Sequence, residues 1–315
     1  MSSPILHHYP VSPFSEKVRA MLGYKGMHYR TVRVPAVMPK PNVTALTGGY
    51  RKTPVLQLGC DIYCDTRLIA RVLEELEPTP SLFPQAFAAG ASWMAQWADL
   101  TLFHSVIPFA LEPASMKRIA VSPGAPSPEE MRLFAADRAA FAQSRSFRLP
   151  SRRVAFSHLP VYLAELDAQL GCTGDYLFGH APCIADFSVY HSLWYLNLGL
   201  PEKLAPYAGI RAWMARIAGF GHGFPSEVDA EVSLEECRNA APRARGDSLS
   251  SDVNGVGLGQ RVQVTSTDLG PEVVEGLLVH LSTDAFAVEC HSDLSDRSVV
   301  HFPRIGFELR PAAPH

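Results

Sequence analysis

A hydroxyl residue followed by a proline stands where an apolar run gives way to a helical pattern, and this junction constrains the fold of the 315-residue chain more than any other feature. Ile5-Leu6-His7-His8-Tyr9 reads as a buried strand. Phe14, Val18, Met21 and Leu22 then recur at the spacing of a helix with one apolar face. Between the two, Ser12 fits the N-cap and Pro13 the first helical position, because a hydroxyl oxygen satisfies an orphan N–H and proline has none to leave unpaired. The chain thus leaves a strand and delivers a hydroxyl to the positive end of a helix. Residues 4–82 continue in kind. Strands are expected near 4–9, 28–34, 54–58 and 61–64, with helices near 13–25 and 66–77. Leu68, Ile69, Val72, Leu73 and Leu76 share one face of the second helix. Gly59-Cys60-Asp61 supplies the turn between the two short strands.

Two more stretches carry chemistry. Lys52-Thr53-Pro54-Val55-Leu56 places a proline at the head of a strand, and Asp65-Thr66 opens the helix that follows the hairpin. A hydroxyl at the first helix, a strand-leading proline and an acid-hydroxyl pair at a helix start, in that order, resemble the glutathione-binding half of a glutathione S-transferase. The layout of that half is thioredoxin-like. The resemblance extends over roughly residues 1–222.

The resemblance implies glutathione as co-substrate and no metal. A thiol with a pKa near ~8.5 is only a few per cent ionised at neutral pH, so activation needs a donor and positive potential at the sulfur. Ser12 is the implied activating residue, with Tyr9 and Ser15 as weaker candidates. Serine in place of cysteine points to attack on an electrophile rather than to thiol exchange. A cis Thr53–Pro54 bond is implied, which would turn the Thr53 backbone toward the glutathione cysteine. Asp65 and Thr66 are implied at the γ-glutamyl carboxylate, and Lys52 at the glycine carboxylate, whereas Arg51 reads equally as a surface residue. The family also implies a homodimer. A second reading is a non-catalytic binding or interaction module with the same fold, in which Ser12, Asp65 and Thr66 are simply helix caps. Thr53 where an aliphatic residue is more usual favours that reading, as do the Asp65-Thr66 variation and Cys183.

Residues 85–225 read as an all-helical domain. Trp93, Trp97, Leu100 and Phe103 suggest the buried face of its first long helix. Trp93, Trp97, Phe103 and His104 are the candidates for an electrophile pocket, although aromatic residues at helical spacing are more often core. A further helix fits His158–Leu170. Cys183 stands at a capping position where the family carries a hydroxyl, leaving Asp186 to satisfy the helix start.

Residues 226–256, which carry Ala240-Ala241-Pro242, Arg243, Arg245, Gly246 and the Ser248–Ser251 cluster, are expected to form a linker. Residues 257–312 switch to period two, with five short strands and intervening turns, and are expected to form a small all-β barrel. The expected fold class is therefore α+β multidomain: a thioredoxin-like domain over 1–82, a helical domain over 85–225 and a barrel that folds separately and contributes nothing to glutathione chemistry. His301-Phe302-Pro303-Arg304 is read as an edge strand carrying a proline. Gly246-Asp247-Ser248-Leu249 spells a serine-esterase signature, but its place in an expected linker argues against that role.

A net charge of −3 gives no reason to expect nucleic acid or an anionic membrane as partner. No apolar run approaches the length of a membrane span, and the N-terminus lacks the pattern of a secretion signal. The six cysteines show no metal or redox spacing, which fits reduced thiols in the cytoplasm. The histidines show no metal-binding spacing either.

Overall fold

The structure, a computed structural model, describes residues 3–312 apart from 126, 128, 131, 135, 138–149, 245, 247, 269 and 271. Its N-terminal part runs β1 (Ile5–His8), α1 (Pro13–Tyr24), β2 (His28–Arg33), α2 (Pro41–Thr47), β3 (Val55–Leu58), β4 (Asp61–Cys64) and α3 (Thr66–Leu76). Strand β1 pairs parallel with β2 and antiparallel with β3, and β3 forms a hairpin with β4. This is the thioredoxin-like arrangement, and the elements foreseen here lie within a few residues of their expected bounds. The short α2 was not foreseen. It starts on a proline at its first turn and ends at Gly48, whose φ of 64° is the left-handed conformation that glycine adopts without penalty.

The helical part comprises α4 (Ala88–Trp97), a π-helical turn (Ala98–Leu102), α5 (Phe103–Ala110), α6 (Pro113–Ile119), α7 (Arg152–Thr173), α8 (Ile184–Gly199) and α9 (Ala208–Ala218). Helix α8 is buried along nearly its whole length and packs against α1, α4 and α5, joining the two parts in one core. At its start Asp186 does the work expected of it. Its carboxylate accepts the Cys183 N–H (2.9 Å), the Leu177 N–H (3.0 Å) and the Trp213 indole N–H (2.9 Å). The Cys183 sulfur sits 3.4 Å away and adds a weak contact. Trp93 departs from expectation: it is 72% exposed, because the buried face of α4 is made by Ala91 and Ala95 instead.

The segment expected to be a linker is partly structured. Strand β5 (Phe224–Glu227) lies parallel to β2 at the sheet edge, with Phe224 stacked on His28 at 4.5 Å. Helix α10 (Ala230–Asn239) follows, and buries Ser233, Leu234 and Cys237. The main-chain oxygen of Ser233 accepts from Gln57 Nε2 at 2.8 Å, which ties this helix to β3. Three buried positions among ten polar-rich residues made the helix hard to distinguish from a linker.

Beyond it come β6 (Arg261–Ser266), β7 (Val273–Leu281), β8 (Ala285–Ser292), β9 (Asp296–Pro303) and β10 (Phe307–Pro311), in the spatial order β10-β6-β7-β8-β9. Strands β9 and β10 lie at opposite ends of that order, yet only Arg304, Ile305 and Gly306 join them. A flat sheet would separate them by four strand spacings, roughly 19 Å, and four peptide steps reach only about 14 Å. The five strands must therefore curl on themselves, as expected of a small barrel.

They do not stand apart. Strand β9 pairs parallel with β4 in the register Asp61–Val299, Ile62–Val300 and Tyr63–His301, so that one ten-stranded sheet runs through the chain. The apolar core of the barrel also takes in Leu46, Tyr50, Val55, Cys60, Ile62 and Cys64 from the N-terminal part. The approach is close: a Cβ on Gly48 would stand 2.7 Å from the Cys290 sulfur. The expectation that β9 is an edge strand fails for the same reason. Pro303 is tolerated because it is the last residue of β9, past the ladder with β4, so its missing N–H breaks no bond there. Residue His301 instead pairs with buried Asp61 (Nε2–Oδ1 2.7 Å) and stacks on Tyr63.

Candidate ligand-binding site

Lys52, Thr53, Pro54, Asp65 and Thr66, the binding residues expected from sequence, line a single cavity of about 310 Å³. The Thr53–Pro54 peptide is cis. Asp65 joins β4 to α3 with φ 72° and ψ 134°, a backbone conformation that non-glycine residues rarely adopt. Such conformations cost about 1–3 kcal/mol and gather where a ligand or switch needs a particular backbone direction. The Asp65 carboxylate caps α3 through the Arg67 N–H at 2.7 Å. Burial pushes its pKa up, and the Arg67 N–H and the Lys17 ammonium work against that shift.

Thr66 is 5% exposed, and its Oγ1 accepts a hydrogen bond from Lys17 Nζ at 3.0 Å. The same ammonium, wholly buried, pairs with Asp99 Oδ2 at 2.7 Å. Asp99 Oδ1 meets His191 Nε2 at 3.0 Å. Burial alone would raise the Asp99 carboxyl, but Lys17 and the His191 hydrogen bond outweigh it and hold the group at about 2. Burial lowers the His191 pKa despite the adjacent carboxylate. The imidazole is therefore neutral and donates its Nε2 proton to Asp99, while Lys17 supplies the positive charge. Asp99 lies in the π-helical turn, a form that recurs at functional sites. With Gln96 and Leu100 it forms the helical-domain wall of the cavity.

Ser12 is the N-cap of α1, as read from sequence. Its Oγ accepts the Ser15 N–H at 3.2 Å, and the residue is 2% exposed. Phe14, two residues on, reaches the cavity wall, and Ser12 is not among the wall residues. Ser15 is fully buried, and its Oγ has no hydrogen-bond partner among the described residues. Tyr9 lies under the Lys40 ammonium at 5.5 Å. Trp93, Trp97, Phe103 and His104 do not line this cavity. Trp97 packs edge-on against Tyr162, and Phe103 against Phe14.

The remaining wall was not foreseen. Ser266 at the end of β6, with Thr267 and Asp268 after it, and Ile305 and Gly306 leading into Phe307 at the start of β10, close the cavity from the barrel side. Lys52 Nζ donates to Ser266 Oγ at 2.6 Å and pairs with Asp268 Oδ1 at 2.5 Å. Arg51 pairs with Asp137 at 2.6 Å and approaches Glu272 at 3.6 Å. The barrel thus forms part of the cavity wall, although it was expected to fold separately. A second, more open hollow over Ser3, His28, Tyr29 and residues 223–226 shares no residue with this one. Ser248 meets His280 at 2.7 Å on an exposed face, and the neighbouring Asp247 lies outside the described residues.

Family profiles for the glutathione S-transferase N-terminal and C-terminal domains match residues 6–81 and 139–216. A crystal structure of a GST-like protein from Pseudomonas syringae is 37% identical, covers 99% of this chain and 100% of its own, and superposes with a TM-score of 0.80. The chain belongs to the glutathione S-transferase family. That likeness spans the barrel as well as the two transferase domains. A glutathione S-transferase from Rhodospirillum rubrum is 21% identical over 68% of this chain and 87% of its own, with a TM-score of 0.51. The FtsZ-localized protein A of Caulobacter vibrioides is 28% identical over 188 residues, which is 58% of this chain and 72% of that protein. Among the described residues no group of acidic, histidine and cysteine side chains is arranged to hold a metal ion, and no helix is long and apolar enough to cross a membrane.

Proposed function

We propose that this protein binds glutathione in the cavity between the N-terminal domain, the π-helical turn and the barrel, and presents its thiol for attack on a small electrophile. The observation that carries the reading is the convergence of Thr53, Pro54, Asp65 and Thr66 on one cavity beside the start of α1. The γ-glutamyl carboxylate meets the Thr66 hydroxyl and the amino end of α3, where the Lys17 ammonium adds positive potential. Asp99, held ionised, faces the ligand's ammonium. The thiol lies toward the amino end of α1. There the Ser12 hydroxyl, which uses only a lone pair in accepting from Ser15, keeps its proton to donate to a thiolate.

A second reading, a non-catalytic binding module, is favoured by the 2% exposure of Ser12 and its absence from the cavity wall. The relationship to a protein named for its localisation with FtsZ points the same way. Retention on immobilised glutathione followed by turnover of a reactive chloro-aromatic separates the two. In the catalytic reading, Ser12→Ala lowers kcat/KM by ~10-fold or more, since one donor to a developing thiolate is worth about 1.5–3 kcal/mol. Thr66→Ala mainly raises the glutathione KM, because it holds the end remote from the chemistry. Retention without turnover selects the binding module, and an undiminished rate in Ser12→Ala removes the serine from the mechanism.

A further inference from the structure

The end of the cavity that the family reading assigns to the glycine carboxylate already holds a carboxylate, and it belongs to the protein. Lys52 reaches Asp268 Oδ1 at 2.5 Å and Ser266 Oγ at 2.6 Å, and Ser266 in turn hydrogen-bonds Asp268. Lys52, Ser266 and Asp268 all belong to the cavity wall. Lys52 and Asp268 are 22% and 32% exposed, so their pair borders the space a ligand would fill. The neighbouring cation is satisfied in the same way, with Arg51 held by Asp137 and approached by Glu272. None of these acids comes from the thioredoxin-like domain that supplies the cations. A ligand carboxylate arriving beside Lys52 would compete with a tethered one and meet it as a like charge.

We propose that Asp268 stands in for the ligand's terminal carboxylate. The site therefore selects γ-glutamyl-cysteinyl thiols whose far end is uncharged or cationic, such as an amide or an amine-linked conjugate, over glutathione itself. This rests on the glutathione-type reading of the cavity. An uncharged end avoids Asp268, and a cationic end pairs with it while Lys52 keeps Ser266. Asp268 is a specificity residue that acts on one end of the ligand and leaves the thiol and γ-glutamyl ends untouched.

Titration calorimetry of the full chain with glutathione and with its C-terminal amide tests this. The wild-type protein should bind the amide at least as tightly as the acid. Asp268→Asn should tighten the acid by ~10-fold, about 1.4 kcal/mol on the affinity scale, and move the amide by less than about 2-fold. A wild-type preference for the acid of ~10-fold or more, as expected if Lys52 receives a ligand carboxylate, would overturn the proposal. So would an acid-to-amide ratio that Asp268→Asn leaves unchanged. Thr66→Ala serves as the control on the underlying reading, because it should weaken both ligands alike. If neither ligand binds any of these proteins, the glutathione-type reading falls together with the role of Asp268. Binding of both, weakened by Thr66→Ala but indifferent to Asp268, leaves that reading standing and refutes this one alone.

Discussion

Deleting residues 253–315 removes all five barrel strands and leaves the two transferase domains complete in sequence, so the deletion tests whether those domains can stand alone. Leu46, Tyr50, Val55, Cys60, Ile62 and Cys64 belong to the N-terminal part, and each is at most 5% exposed in the full chain. Their apolar neighbours across the junction include Val300, Phe302 and Phe307. Full burial of a medium-sized apolar side chain contributes about 1.5–3 kcal/mol. Losing even half of that burial over six residues costs on the order of 5–10 kcal/mol, as much as the total stability of many domains. The deletion also strips β4 of its partner, exposing a bare edge in the register Asp61–Tyr63 that invites pairing between molecules. We expect residues 1–252 to be aggregated or unfolded in size-exclusion chromatography and to lack the cooperative thermal transition of the full chain. A monodisperse 1–252 protein with full helical circular dichroism and a melting temperature near that of the full chain would refute the shared core. Phe302→Ala in the full chain supplies a second measurement. That ring is fully buried and contacts Tyr50, Phe286 and Phe307, so its removal should cost about 3–5 kcal/mol and loosen the cavity wall at Tyr50 and Phe307.

Lys17→Met should destabilise by about 1–3 kcal/mol in urea unfolding, because it leaves the partly buried Asp99 without its cation, and the added change Asp99→Leu should recover much of that loss. With the Asp99 carboxyl held at about 2, the stability from the pair is complete above ~4 and fades as pH falls toward 2, so the effect of Lys17→Met should shrink over that interval. Burial lowers the His7 pKa from 6.5 to about 4, against the Gln57 hydrogen bond, so its contribution is full above pH 6.5 and is lost as pH falls through 4. Over that window urea stability should fall by about 3 kcal/mol less in His7→Asn than in the wild type, while His8 and buried His191, whose pKa values are lowered too, add to the fall in both. From the family we expect a homodimer, and a sedimentation mass of one chain at micromolar concentration would rule it out.

Much of the N-terminal domain was legible because its signals are local. Pro13 at the start of α1, the Gly59 turn and the amphipathic period of α3 each act within a few residues, and the structure follows them closely. Thr53, Pro54, Asp65 and Thr66 were placed together by the resemblance to the transferase family, and they line one cavity. The Lys17–Asp99 pair was less legible, although half of its signal was present. Lys17 falls three residues after Phe14 and four before Met21, on the apolar stripe of α1, where a charge must find a buried partner. Nothing in the local pattern named Asp99, which arrives from another domain on a π-helical turn.

The docking of the barrel was the least legible feature, because period two specifies strands without specifying which edges they pair with. One clue was available. Asp61-Ile62-Tyr63-Cys64 closes a hairpin, and such a strand can leave one face in water; here all four residues are buried. Its sequence carries alternate apolar residues but also an aspartate, which reads as an exposed position until His301 and the Arg243 N–H are found to satisfy it. The consequence for the site follows from the same packing. Read within its own domain, Lys52 is a cation awaiting a ligand, whereas in the folded chain Asp268 already neutralises it across the cavity wall. A motif can therefore point to a cavity while the charge along its wall is set by residues more than two hundred positions away.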